Sequence, residues 1–408
     1  MPRHIRTLPT VLITAALAWA CAVSCLAQSP AEEFRSTLLK GAALTAEEFS
    51  ALERGEVVVK TLPAADKREV AFCGVARLRG DPAALLAAFK ESLTRSGIRV
   101  IRGSGAIGIP PADEDLHALS LENGEIEDMK QCAVGDCKVK MSAAMIARLR
   151  GEMDWDAPGY RTAADRLFKS MLLDYVRDYL ARGDAALIEY EDRARAVRQA
   201  DEQRSLLASL PYVGEAAPEF AAYLRGFPQA GLPGVENSFQ WSEVKVGLKP
   251  VVLFTHTATY TRQSAGAPQI LIVTKQLYAT HYFDSSLSLT LLSGAAGREG
   301  TADTYLFYAN RSRLDSLGGL FGGVRRRVIE TQILEGLSTV LQRMKSRTEA
   351  GPAGAPRTDP LAADEEGAAR RWAGRWAGMA GYLFLALSLV ASVILLLLRR
   401  RDLKARGT

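Results

Sequence analysis

The run from Ala377 to Leu398 holds no charged residue and ends directly in Arg399, Arg400 and Arg401. At a rise of about 1.5 Å per residue, a helix of that length crosses a hydrocarbon core of roughly 30 Å. A soluble helix is seldom apolar on every side. The run is therefore expected to form one membrane-crossing helix over 377–398. Trp372, Trp376 and Tyr382 lie at its leading end, and Lys404 and Arg406 extend the basic tail, 399–408, behind it. A buried helix closing a globular core is the plainer alternative.

At the other end, Arg3, His4 and Arg6 precede an apolar stretch from Leu8 to Ala27, with small residues at Ser24, Cys25 and Ala27. This is the layout of a signal peptide over 1–27. Lipidation at Cys25, or retention as an uncleaved anchor, are the other readings. With cleavage, residues 28–349 form an extracytoplasmic domain, 350–371 a flexible linker rich in Gly, Ala and Pro, and the tail faces the cytoplasm. The expected location is thus the membrane of a cell envelope. The net charge of +5 over 408 residues leaves no nucleic-acid footprint.

Cysteine is sparse. Beyond the leader only Cys73, Cys132 and Cys137 remain. Gly135 and Asp136 make a turn between the last two, so a local Cys132–Cys137 disulfide is expected in an oxidising compartment. Two cysteines alone do not make a zinc site, and neither a metal nor a cofactor is expected. Cys73 lies in an alternating strand and reads as a small buried hydrophobe.

The mature chain opens with helical signals at Leu38, Leu39, Phe49 and Leu52, with Thr45 and Glu48 spaced as a capping box. Alternation over Glu69–Leu78 predicts a strand, and Asp81-Pro82 starts a helix over Ala83–Arg95. Residues 113–230 are helical and charged and read as an insertion. Within them Thr162–Arg182 is the longest helical pattern, and Glu189–Leu207 reads as a solvated, charge-paired face or a partner-docking surface. Strand composition returns in Phe239–Val246, Pro250–Arg262, Gln269–Leu292 and Thr304–Asn310. After the glycines of 318–323, an amphipathic helix runs from Val324 to Lys345 on the stripe Ile329, Ile333, Leu337 and Leu341. These features predict an α+β domain, an antiparallel sheet with a long C-terminal helix.

Three of the four histidines, His117, His256 and His281, fall in this domain. With Asp284, Tyr278 or Asp315, His256 and His281 have the side chains of a general-base or metal site. Strict alternation sets His281 and Asp284 on opposite faces, and a strand histidine satisfied by a neighbour is the plainer account. No phosphate loop, serine elbow or His-Glu-x-x-His pair occurs, and no catalytic residue is assigned. The glycines of 318–323 suit a hinge, and Leu320 and Phe321 beside them could touch a lipid surface.

The segments Glu69–Arg95, Ile270–Leu292, Thr304–Asp315 and Val324–Met344 together resemble the helix-grip outline of START-like domains. The phrases Gln131–Val139, Tyr278–Leu292 and Tyr305–Asp315 also look like those of uncharacterised bacterial envelope proteins. The resemblance implies a sheet wrapped around the last helix, with an apolar ligand or lipid held between. Tyr278, His281, Phe283, Tyr305, Phe307 and His256 are the candidate ligand-binding residues. A non-enzymatic ligand-binding protein is the leading expectation, an envelope scaffold with a protein partner the second, and a hydrolase the third.

Overall fold

The computed structural model describes residues 32, 34, 36, 44–86, 101–245, 249–264, 267–296, 302–318 and 322–350. The expected membrane helix, signal peptide and linker, the rest of the Ala83–Arg95 helix, and Leu320 and Phe321 lie outside them.

Helix α1 (Ala46–Glu53) starts where Thr45 and Glu48 satisfy each other's backbone N–H groups, at 3.1 and 2.7 Å. Strands β1 (Val58–Thr61) and β2 (Glu69–Arg79) follow as an antiparallel pair, then β3 (Ile101–Ile107). A helical block comes next. It comprises α2 (Asn123–Lys130), α3 (Ala143–Glu152), α4 (Tyr160–Arg182), the short strands β4 (Glu189–Tyr190) and β5 (Val197–Arg198), α5 (Gln199–Ala208), α6 (Pro211–Ala216) and α7 (Pro218–Gly226). Ser142 caps α3 by accepting from Met145 N. Helix α4 stops at Gly183, where φ is +59° and an added Cβ would lie 1.9 Å from the Phe227 carbonyl oxygen. Only glycine fits there.

The chain then makes β6 (Val235–Lys245), β7 (Pro250–Ser264), β8 (Ala267–Ala279), β9 (Phe283–Ala296) and β10 (Ala302–Leu314), and ends its described part in α8 (Gly322–Ala350). Among the described residues the main sheet has eight antiparallel strands in the order β1-β2-β10-β9-β8-β7-β6-β3.

Period-2 alternation sorts each strand between two covered faces. Ala71, Cys73 and Val75 of β2, with Leu287, Leu289, Tyr305 and Phe307, pack under Phe49 and Leu52 of α1 and Leu206, Val213 and Phe220 of α5 to α7. Further along the same face, Phe168, Leu172, Val176 and Tyr179 of α4 lie on Phe239, Trp241, Phe254 and Tyr278. We call this the block face. On the opposite face, Val70, Phe72, Ala76, Leu306 and Tyr308 meet Ile329, Ile333, Leu337 and Leu341 of α8. Each Val, Leu, Ile or Phe among them contributes roughly 1.5–3 kcal/mol relative to exposure. Val324, at the start of the expected stripe, is instead exposed.

The expected architecture is corrected in its layering. A sheet gripping its terminal helix, with the helical stretch as an appendage, is replaced by a large eight-stranded antiparallel sheet with helices on both faces. The helical block supplies much of the core, because its apolar stripes cover a sheet face that would otherwise be wet. And among the described residues no helix is long and apolar enough to cross a membrane. A further difference concerns Gln269–Leu292, which reads as one β-rich run. It is two strands, joined by a turn that contains no Gly, Pro, Asn or Asp.

Candidate functional site

That turn organises the chemistry around it. Thr280, His281 and Tyr282 connect β8 to β9, and Phe283 N donates to His281 O at 2.7 Å across a three-residue turn. Tyr282 has φ +62°, the one non-glycine residue with positive φ among the described residues. A bulky residue in this region is strained and persists only where its surroundings hold it. Here Asp315 N donates to Tyr282 O at 2.9 Å, and Lys249 N donates to the Tyr282 hydroxyl at 3.1 Å.

Approaching the turn, the β8–β9 ladder stops at Lys275 and Leu287, and the strands part. Side chains of the helical block take over the freed backbone groups. Gln203 Nε2 donates to both Gln276 O and Ser286 O, at 2.9 and 3.0 Å, and Gln199 Nε2 also donates to Gln276 O. Tyr175 donates to Leu277 O at 2.7 Å, Tyr278 donates to Lys140 O at 2.5 Å, and Ala279 N donates to the Tyr190 hydroxyl at 3.0 Å. Buried backbone groups need partners, so this part of β8 holds its shape only with the block in place.

Behind the turn lies an interior ion cluster. Lys140 Nζ is 2.9 Å from Asp284, 3.6 Å from Asp315 and 3.8 Å from Asp192, and it stands over the Tyr190 ring at 4.8 Å. Arg68 pairs with Asp284 at 2.7 Å, Glu202 at 2.9 Å and Asp66 at 2.8 Å. Arg313 pairs with Glu202 and Glu69, Arg311 with Glu69, and Arg193 with Asp315. Five cations thus face six carboxylates. Burial pushes the Asp192 and Asp315 carboxyls up from their ordinary range, against the pull of Lys140 and Arg193. The charges of the 189–207 stretch are therefore partly internal: Asp192 is buried, Glu202 half-buried, and Gln199 and Gln203 buried beside them. This cluster joins the block to the sheet.

The disulfide sits at the block's side of that joint. Cys132 and Cys137 are bonded to each other. From their loop Cys137 N donates to Asp192 O at 2.9 Å and Gly135 N to Glu191 O at 2.7 Å, which fixes Asp192 within reach of Lys140.

His256 and His281 have separate partners. His256 is fully buried on the block face, accepts at Nδ1 from the Tyr179 hydroxyl (3.0 Å) and donates from Nε2 to Asn237 Oδ1 (2.8 Å), while Asn237 Nδ2 donates to Tyr223. Burial, with Lys275 nearby, pulls its pKa well below the ordinary value, so it stays neutral. His281 instead reaches Glu125 of α2 at 3.2 Å. Of the remaining candidates, Tyr278 packs with His256's core, Tyr305 and Phe307 lie under α1 and α6, and Phe283 lies on the α8 face. Tyr278, the pair Tyr305 and Phe307, and Phe283 thus belong to three separate cores. Cys73 is a buried free thiol whose pKa burial raises to about 12. Among the described residues no group of three His, Cys, Asp or Glu side chains is placed to hold a metal ion.

The feature that sequence reading missed is on the α8 face. Register places Ser238 opposite Thr257, Thr257 opposite Thr274, Thr274 opposite Ser288 and Ser288 opposite Asn310, one neutral polar row across β6 to β10. Gln240, Thr255 and Gln276 form a second row beside it, and Thr259 and Thr290 flank it on the other side. Thr257 and Thr274 hydrogen-bond at 3.0 Å, and Ser286, Ser312 and Asn310 bond among themselves. Others find no partner: the Ser238 and Thr259 hydroxyls and both ends of the Gln276 amide are buried and unpaired. These side chains are 5%, 6% and 3% exposed, so solvent does not satisfy them. Apolar residues bound the belt: Ile270, Ile272 and Leu292 toward one end of the strands, Val251, Leu253 and Phe283 toward the other. The signal was present in the sequence as Ser and Thr at every second place of β-prone runs, a pattern indistinguishable there from a wet face.

Comparison with protein-family models, with curated proteins and with solved structures finds no match to this chain.

Proposed function

We propose that this chain is a non-enzymatic, extracytoplasmic binding protein whose ligand lies against the α8 face of the sheet. The observation that carries the reading is the set of buried, unpaired polar atoms on Ser238, Thr259 and Gln276. A buried donor or acceptor left unmade costs about 1–3 kcal/mol, so several on one face favour an occupant that completes them. Apolar flanks of Ile270, Ile272 and Leu253 give the same occupant hydrocarbon to rest on. That combination suits a lipid-like molecule with a polar middle or head. The Cys132–Cys137 bond supports an oxidising compartment. A hydrolase is less well supported, because His256 and His281 are each committed to different partners. Partner docking through 189–207 is weakened by the inward turn of Asp192, Gln199 and Gln203.

The test is organic extraction of the purified full-length chain, followed by mass spectrometry of the extract. A single lipid class near one equivalent per chain supports the reading. A bare protein that also takes up no labelled fatty-acyl compound counts against it.

A further inference from the structure

Resting on the binding reading above, we infer that the ligand presents an uncharged group that both donates and accepts hydrogen bonds, and that Gln276 is the residue that reads it. The carboxamide of Gln276 has donors on one side and an acceptor on the other, and both ends are buried and unpaired. Its natural complement is an amide or a pair of neighbouring hydroxyls, which return one acceptor and one donor. Ser238 and Thr259 add hydroxyls that serve in either sense.

Charge is disfavoured on the same ground. The buried side chains on this face of β6 to β10 are all neutral. An ionised group brought into such surroundings without a counter-charge loses hydration that nothing there returns. Glu236, opposite Thr259 at the exposed end of β6, would add repulsion toward a carboxylate or phosphate. Among the described residues the buried cations are on the block face, where Arg68, Arg311, Arg313, Lys140 and Lys275 are taken by carboxylates. Among the described residues an anionic lipid therefore has no guanidinium or ammonium to meet at the belt, whereas a neutral glyceride or fatty amide matches it. The position of Gln276 adds shape to this selectivity. It sits where β8 bulges at Leu277 and leaves β9, and its backbone carbonyl is held by Gln199 and Gln203, so the side chain is fixed from behind.

The experiment uses the delipidated full-length chain and three radiolabelled probes with one C18 tail: monoolein, oleate and oleylamine, in equilibrium binding at neutral pH. The expected result is monoolein bound at least about tenfold more tightly than either charged probe, with Gln276→Leu losing most of that advantage and leaving oleate unchanged. Thr259→Val, nearly isosteric and with no hydrogen bond to lose, is the second variant and is expected to weaken monoolein by several-fold. Oleate or oleylamine bound as tightly as monoolein overturns the neutral-group assignment while leaving the binding face intact. Monoolein bound equally by the parent and both folded variants overturns the role of Gln276. Binding of none of the three overturns the binding reading itself, and this inference with it.

Discussion

Lys140 and Asp284 are 144 positions apart in the chain and meet as an interior ion pair at 2.9 Å. Lys140 comes from the loop that follows the disulfide, and Asp284 is the second residue of β9, just after the strained Tyr282. The pair therefore fastens the helical block to the sheet at the place where β8 and β9 separate. Replacing Lys140 by Met leaves Asp284, Asp192 and Asp315 together without their shared cation. A loss of about 3–5 kcal/mol is expected, the usual cost of stranding one side of a buried pair. Urea denaturation of K140M measures it, and K140M combined with D284N should lose less than the two single variants added together.

The same cluster makes a pH prediction. Asp192 and Asp315 have folded-state pKa values raised above the ordinary 3.8 by burial. The folded protein holds those protons more tightly than the unfolded chain, so their contribution is fully present below about pH 3.8 and is lost as pH rises through the raised values. Asp66 and Asp128 run the other way. Burial raises them, but hydrogen bonds from Arg68 to the first, and from Lys249 and Lys138 to the second, bring both below 3.8. Their contribution is present above that value and is lost as pH falls through the lowered ones. The stability of the parent minus that of the D192N/D315N double variant should consequently fall between pH 3.5 and 7. Chemical denaturation at stepped pH checks the sign, and a difference that grows with pH contradicts it.

At Gly74 of β2, α8 lies close against the sheet. A Cβ added there would lie 2.7 Å from Leu341 Cδ1 and 2.8 Å from Leu337 Cδ2. Both leucines are fully buried, so the helix must shift as a whole or the side chains leave their rotamers. Gly74→Ala should cost about 1–3 kcal/mol, the range for overpacking a core. Thermal unfolding reads this directly, and an unchanged midpoint would show that α8 does not lean on β2.

Thr259 and Ser238 carry hydroxyls that no protein group satisfies. Thr259→Val and Ser238→Ala should therefore raise the stability of the ligand-free chain, by about 1 kcal/mol each, where most buried polar-to-apolar changes lower it. Adding a ligand should narrow or reverse that gain. Differential scanning calorimetry with and without monoolein separates the two states. Destabilisation in both would mean that these hydroxyls are satisfied within the protein.

The disulfide closes a loop with a sequence separation of 5, which limits its entropic effect to about 2 kcal/mol. Its structural reach is longer, because the loop positions Asp192 beside Lys140. Reduction should add the mass of two hydrogens, seen by intact-mass spectrometry. It should also flatten part of the pH response assigned above to Asp192.

Local signals in this chain were legible because they depend only on neighbours within a turn or two. Thr45 and Glu48 cap α1 as their spacing predicts, Ser142 caps α3, and Ile329, Ile333, Leu337 and Leu341 form the buried stripe of α8. The alternation of β2 likewise sorted Val70 and Phe72 from Ala71 and Cys73. The candidate site was far less legible. His256 and His281 drew attention as scarce titratable groups, but a histidine's role is set by what faces it, and Tyr179 and Glu125 lie 77 and 156 positions away.

By itself the sequence determined where most helices and strands begin, through capping residues and apolar period. Only the tertiary structure decided that β3 closes the sheet on β6, that Gln269–Leu292 turns back at Tyr282, and that Lys140 finds Asp284. It also decided that Ser238, Thr257, Thr274 and Ser288 are buried. Each of these rests on pairing between distant segments, whose free energy comes from desolvation and shared hydrogen bonds across the contact. No stretch of chain carries that energy before its partner is in place.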